Sequence, residues 1–257
     1  MSDDLRGSLW NALQIMIWNS ADFLQSSYQT PGIFFFAQYL WFNYFKDPID
    51  SIPSHPTYVL AEIREYFFEA EWNEVYDFIE VVVGMELEQK DELISFLNRV
   101  LERELSGYRI IDGNVAPVTD KLEKSMLEEA LADFDFPAVR SHLARSLELL
   151  SDRNTPDYRN SIKESISAVE SMAKIVTGGS SATLGDAIKT LKKDGTVHST
   201  LLTAFEKLYG YTNGQNGIRH AMMDLPELNQ DDAKYFLLTC TSFSNYLKAA
   251  YGRKNAS

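Results

Sequence analysis

A single cysteine, Cys240, in a chain of 257 residues leaves no partner for a disulfide and too few thiolates for a metal cage. The stretch around it, Tyr235 to Tyr246, is apolar with helical spacing and holds no activating neighbour. Cys240 therefore reads as a buried, inert thiol. Histidine is also sparse. His55, His142, His198 and His220 are scattered, and no two stand at the four-residue spacing, with a carboxylate, of a helical zinc site. No metal and no cofactor are expected. Long apolar runs are missing too. The most apolar segment, Gly32 to Phe45, is interrupted by Gln38 and Asn43 and falls short of the ~20 residues that cross a bilayer. The acidic start Met-Ser-Asp-Asp lacks the positive region of a signal peptide, so a cytoplasmic protein away from membranes is expected. Neither a Gly-Lys-Ser/Thr phosphate loop nor a Gly-x-Ser-x-Gly nucleophile elbow is present.

Basic residues are outnumbered, 24 Lys+Arg against 37 Asp+Glu, for a net charge of −13. That excludes a protein coated in positive charge for non-specific nucleic-acid binding. The excess is not evenly spread. Residues 1–120 carry 20 acidic and 7 basic side chains, whereas residues 121–257 carry 17 of each. Such asymmetry marks a boundary, and it predicts two closely packed units, 1–120 and 121–257.

What is present is mostly helical pattern. Leu9, Leu13, Met16, Ile17 and Leu24 form an amphipathic stripe within a helix predicted from Leu5 to Phe23. The run from Ile33 to Phe45 reads as a core helix apolar nearly all round. Further helices are predicted from Tyr58 to about Val83, from Gln89 to Leu105 and, after Pro137, from Ala138 to Leu150. The second unit adds helices from Thr155-Pro156 to Val176, Leu184–Lys193, Thr196–Leu208, Ile218–Met223 and Asp231–Tyr251, with Thr155 as the expected cap of the first. A small hairpin is predicted around Asp112-Gly113-Asn114, near residues 108–118. The fold class is therefore a mostly α helical bundle with one hairpin.

Two segments carry chemical interest. From Tyr158 to Glu170, Ile162, Ile166 and Val169 point inward, while Arg159, Lys163, Ser167 and Glu170 share a polar face, with Asn160 beside Arg159. From Tyr209 to Ala221, glycines and amides, Asn216 among them, form a predicted loop that also carries Tyr211. It delivers Arg219-His220 to a helix start that favours anions. An arginine that forks onto phosphate beside a titratable histidine suits RNA or a nucleotide.

The run Pro156 to Glu170, with Leu208-Tyr209-Gly210-Tyr211-Thr212 and Gly217-Ile218-Arg219-His220-Ala221, resembles the C-terminal region of bacterial abortive-infection proteins of the AbiJ type, itself similar to the HEPN superfamily. Upstream, residues 41–45, 72–80 and the hairpin at Gly107-Tyr108-Arg109 resemble an AbiJ N-terminal module. The resemblance implies an antiviral defence protein that binds RNA or a nucleotide, and in the catalytic members a metal-independent ribonuclease assembled as a homodimer. The catalytic pattern is an Arg, usually followed by Asn, Asp or His, and then a His with four to six residues between it and the Arg. Arg219 and His220 match its start as candidate catalytic residues, but Asp224, Leu225 and Pro226 stand where the second histidine belongs. Arg159-Asn160 matches likewise, with Glu164, Ser165 and Ile166 in those positions. Arg159, Asn160, Lys163, Glu170, Tyr211 and Asn216 are the candidate ligand-binding residues. The alternative expectation is a catalytically inactive helical adaptor whose acidic first half docks on a basic protein partner.

Overall fold

The structure, a computed structural model, describes residues 1–19, 32–179, 183–213 and 228–255. Among them are eleven α-helices and one two-stranded hairpin, in line with the expected mostly helical class. No helix among the described residues is long and apolar enough to cross a membrane. The chain divides into two compact units, Met1–Val115 and Ala116–Ser257.

The first unit begins with α1 (Asp3–Leu13), which runs on as a π-helical turn, Gln14–Trp18. Ser2 caps it by accepting from the Leu5 N–H, and Asp3 and Asp4 complement its dipole. Leu9, Leu13 and Ile17 of the predicted stripe are buried, joined by Trp10 and Trp18, while Leu24 lies outside the described residues. α2 (Ile33–Leu40) and the π-helical turn Trp41–Phe45 bury Ile33, Phe34, Phe36 and Trp41. They are not enclosed all round, because Phe35 and Phe42 are about two-thirds exposed.

The helix expected from Tyr58 to Val83 is two helices, α3 (Pro56–Glu69) and α4 (Trp72–Gly84). The backbone leaves the helix at Ala70, with ψ 149°, and a capping box between Glu71 and Glu74 opens the next one. Arg6 holds the break. Its Nη1 donates to the carbonyls of Phe67, Phe68 and Ala70 at 3.0, 2.8 and 2.7 Å, satisfying the end of α3 from a distant part of the chain.

α5 (Lys90–Arg103) packs on α1 and carries the hairpin of β1 (Arg109–Ile111) and β2 (Asn114–Ala116). Asp112 and Gly113 both take positive φ, 48° and 80°, as a tight two-residue hairpin turn requires. Outside the ladder, Asn98 pairs with both the N–H and the C=O of Ile110, and Glu80 accepts from the Val115 N–H. Two helix side chains thus take the place of a third strand.

The second unit contains α6 (Lys121–Leu131), α7 (Pro137–Ser151), α8 (Tyr158–Val176), α9 (Leu184–Asp194), α10 (Ser199–Asn213) and α11 (Gln230–Asn255). α8 lies at its centre, packed against α7 and α11. Its inward stripe of Ile162, Ile166 and Val169 is buried as read from the sequence, and Met172, Ala173 and Val176 continue it. Cys240 is buried on α11, and burial pushes its thiol pKa up. α8 is capped by Asp157, which accepts from the Asn160 N–H. Thr155 does not cap the helix. Its N–H and hydroxyl are held by Asp152, so the loop before α8 closes on itself.

Candidate functional site

α8 supplies four of the candidate side chains. Asn160 is exposed, and Asp157 grips both its backbone N–H and its side-chain amide, the latter at 2.6 Å. Glu170 forms an ion pair with Lys174 one turn on, at 2.9 Å. Lys163 is exposed and Arg159 half-buried, on the shared face expected from their spacing. Asn160 and Glu170 are therefore partly committed to local contacts.

Tyr211 is not on a loop. α10 continues through Asn213, past the Gly210 expected to break it, and Tyr211 stacks on Phe236 of α11 with ring centroids 6.2 Å apart. Thr212, also on α10, is buried and donates to the Tyr209 carbonyl. Packing against α11 offsets the ~1 kcal/mol that a helical glycine costs. Asn216, Arg219 and His220 lie outside the described residues.

The structure joins two side chains that sequence spacing does not pair. His142 on α7 lies 2.6 Å, Nδ1 to Oε2, from Glu164 on α8. An ionised carboxylate only accepts, so Nδ1 is the donor of this contact. The imidazole is 37% exposed, and Nε2 has no hydrogen-bond partner among the described residues. Glu164 occupies one of the three positions at which a histidine would complete the pattern begun by Arg159. A turn further along α7, Arg145 pairs with Glu148 at 2.6 Å and feels the charges of Glu164 and Asp157.

Beneath this pair, Ser146, Ser161 and Ser165 are fully buried between α7 and α8. Ser146 lies 3.1 Å from the Ser161 hydroxyl and 2.7 Å from that of Ser165, and Ser161 donates to the Ser146 carbonyl. Small side chains let the two helices approach, and the shared hydroxyls fix their register. His142 is one turn from Ser146, while Glu164 sits between Ser161 and Ser165 in the chain. The serine seam thereby sets where the imidazole meets the carboxylate. Its only sequence signal is a pair of serines four apart, on the inward side of an otherwise apolar stripe.

A family model described as AbiJ N-terminal domain 4 matches residues 1–133. No curated protein and no solved structure matches the chain.

Proposed function

The chain belongs to the AbiJ N-terminal domain 4 family, and from that premise we propose an abortive-infection defence protein whose second unit is HEPN-like and engages RNA or a nucleotide. The family match carries the defence role. The ligand class rests on Arg159 and Lys163 on one face of α8, and on Arg219-His220 in the sequence that follows α10. The second half of the chain is charge-balanced, so no net acidic excess over that half opposes its cations. Purified full-length protein is expected to bind single-stranded RNA. Arg219→Ala should weaken that binding about tenfold or more, the worth of a charge-assisted phosphate contact, while leaving the melting temperature nearly unchanged. Absence of binding to RNA and to nucleotides at low and physiological salt would overturn the ligand assignment.

A second reading, an adaptor for a basic protein partner, draws support from the first unit. Ile15, Met16, Phe35, Met85 and Leu87 line a groove there, with Glu86 and Glu88 along it. Of these, Ile15 and Phe35 are exposed, and apolar side chains flanked by carboxylates suit an amphipathic basic segment. Phe35→Asp should then abolish recovery of a protein partner from the native host without affecting RNA binding.

A further inference from the structure

We propose that a recess among α6, α7, α8 and α11 of the second unit binds a phosphate group. Ser244 on α11 carries the first argument. It is 3% exposed and lines the recess, and its hydroxyl has no hydrogen-bond partner among the described residues. A hydroxyl inside a helix ordinarily donates to the carbonyl four residues back, as Thr241 of the same helix does to Leu237. An unpaired buried hydroxyl is destabilising, and a bound oxygen would remove that cost. Arg140 on α7 lines the same recess and is fixed at two points. Its Nε donates to the Leu131 carbonyl at 2.6 Å, and its guanidinium carbon lies 4.8 Å from the centre of the Phe134 ring. Nη1 and Nη2 have no hydrogen-bond or ion-pair partner among the described residues, so the fork is held in place with both ends uncommitted. Lys248 on α11 pairs with Asp133, and an ammonium has further donors to give.

Charge and room set the ligand class. Arg140 and Lys248 outnumber Asp133, the one carboxylate among the described residues of the lining, so the recess favours an anion. Phe136, Val139 and Met172 complete the wall with side chains that offer those donors no acceptor. The enclosed space takes one water-sized group. A single ligand oxygen therefore reaches Ser244, and the rest of the ligand stays at the mouth, where the Lys248 side chain is 40% exposed. A carboxylate placed in this way has one oxygen left for two cations on different helices, whereas a tetrahedral oxyanion has three. A phosphate group meets these terms as the free ion or as the monoester end of a larger molecule. The assignment is independent of the RNA-binding reading, because it uses none of Arg159, Lys163 and Arg219.

The experiment titrates inorganic phosphate into the full chain at constant ionic strength, with calorimetric affinity and melting temperature as readouts and acetate as the planar control. The melting temperature should rise with phosphate and not with acetate, as expected of an anion that binds the folded chain alone. Ser244→Ala should weaken phosphate binding about threefold or more, yet without phosphate it should melt no lower than wild type, since the hydroxyl it removes has no partner. Arg140→Gln should weaken binding about tenfold or more, and Ser244→Ala keeps the test open if that variant does not fold. AMP that displaces phosphate assigns the site to a phosphate ester, and AMP that does not assigns it to the free ion; either supports the site. An equal response to phosphate and acetate overturns the proposal, as does a phosphate affinity unchanged in Ser244→Ala. Both of those results leave the RNA-binding reading standing, which fails by its own test if no RNA binds.

Discussion

At the scale of single residues, the approach to α8 separates two roles that look alike in sequence. Thr155-Pro156 reads as a cap followed by a first-turn proline, yet Asp157 takes the cap because Thr155 is already bound to Asp152. Asp157→Ala should cost about 1 kcal/mol, within the usual range for a lost N-cap, whereas Thr155→Ala should stay within about 0.5 kcal/mol. Urea unfolding of both variants checks the order. Equal effects would mean that Asp157 does not hold the helix start. The same region shows what sequence reading reaches. Ile162, Ile166 and Val169 declare themselves by spacing, because apolar letters at helical period have one reading. Ser161 and Ser165 do not, because serine is as common on a solvated face as in a buried seam, and only the neighbouring Ser146 decides between them. His142 and Glu164 stay hidden for a related reason. They are 22 residues apart and meet only through the packing of two helices.

At the scale of elements, legibility follows how local the cause is. The hairpin is evident from Asp112-Gly113 because positive φ at two successive positions has few solutions. The break between α3 and α4 is not evident, since Arg6, more than sixty residues away, satisfies the carbonyls that the break exposes. Tie points of this kind also set the pH response. Glu206 on α10 is held below the usual carboxylate range by its hydrogen bond to Lys192 on α9, and Asp186 and Asp152 are lowered by the Thr183 side chain and the Thr155 backbone. A carboxylate lowered in the folded state binds fewer protons there than in the unfolded chain. Its contribution is complete above the ordinary carboxylate range and is lost as pH falls through the lowered values. Stability should therefore decline between about pH 5 and pH 3. Glu206→Gln should reduce the melting temperature at neutral pH and bring it close to wild type at pH ~3. A constant difference between the two proteins across that range would show that the Lys192 pairing carries no such linkage.

At the scale of the whole molecule, charge distribution limits how the proposed RNA ligand could be held. The acidic excess belongs to residues 1–120, and the remainder is balanced, so the chain offers no broad basic surface over which a polyanion could spread. Binding through the second unit must rely on a few cations, with Arg145, Arg159, Lys163 and Arg219 as the candidates. Contact with two to four phosphates of a single strand corresponds to a slope of log K against log salt of about −1.4 to −2.8. Affinity should then fall only about 7- to 50-fold between 50 and 200 mM salt, where a protein with a basic stripe loses far more. Removing one contributing cation, as in Lys163→Ala, should flatten the slope by about 0.7 as well as weaken binding, because one fewer counterion is released. A slope steeper than about −5 would require more phosphate contacts than these four side chains can make, and would move the RNA-binding surface elsewhere on the chain.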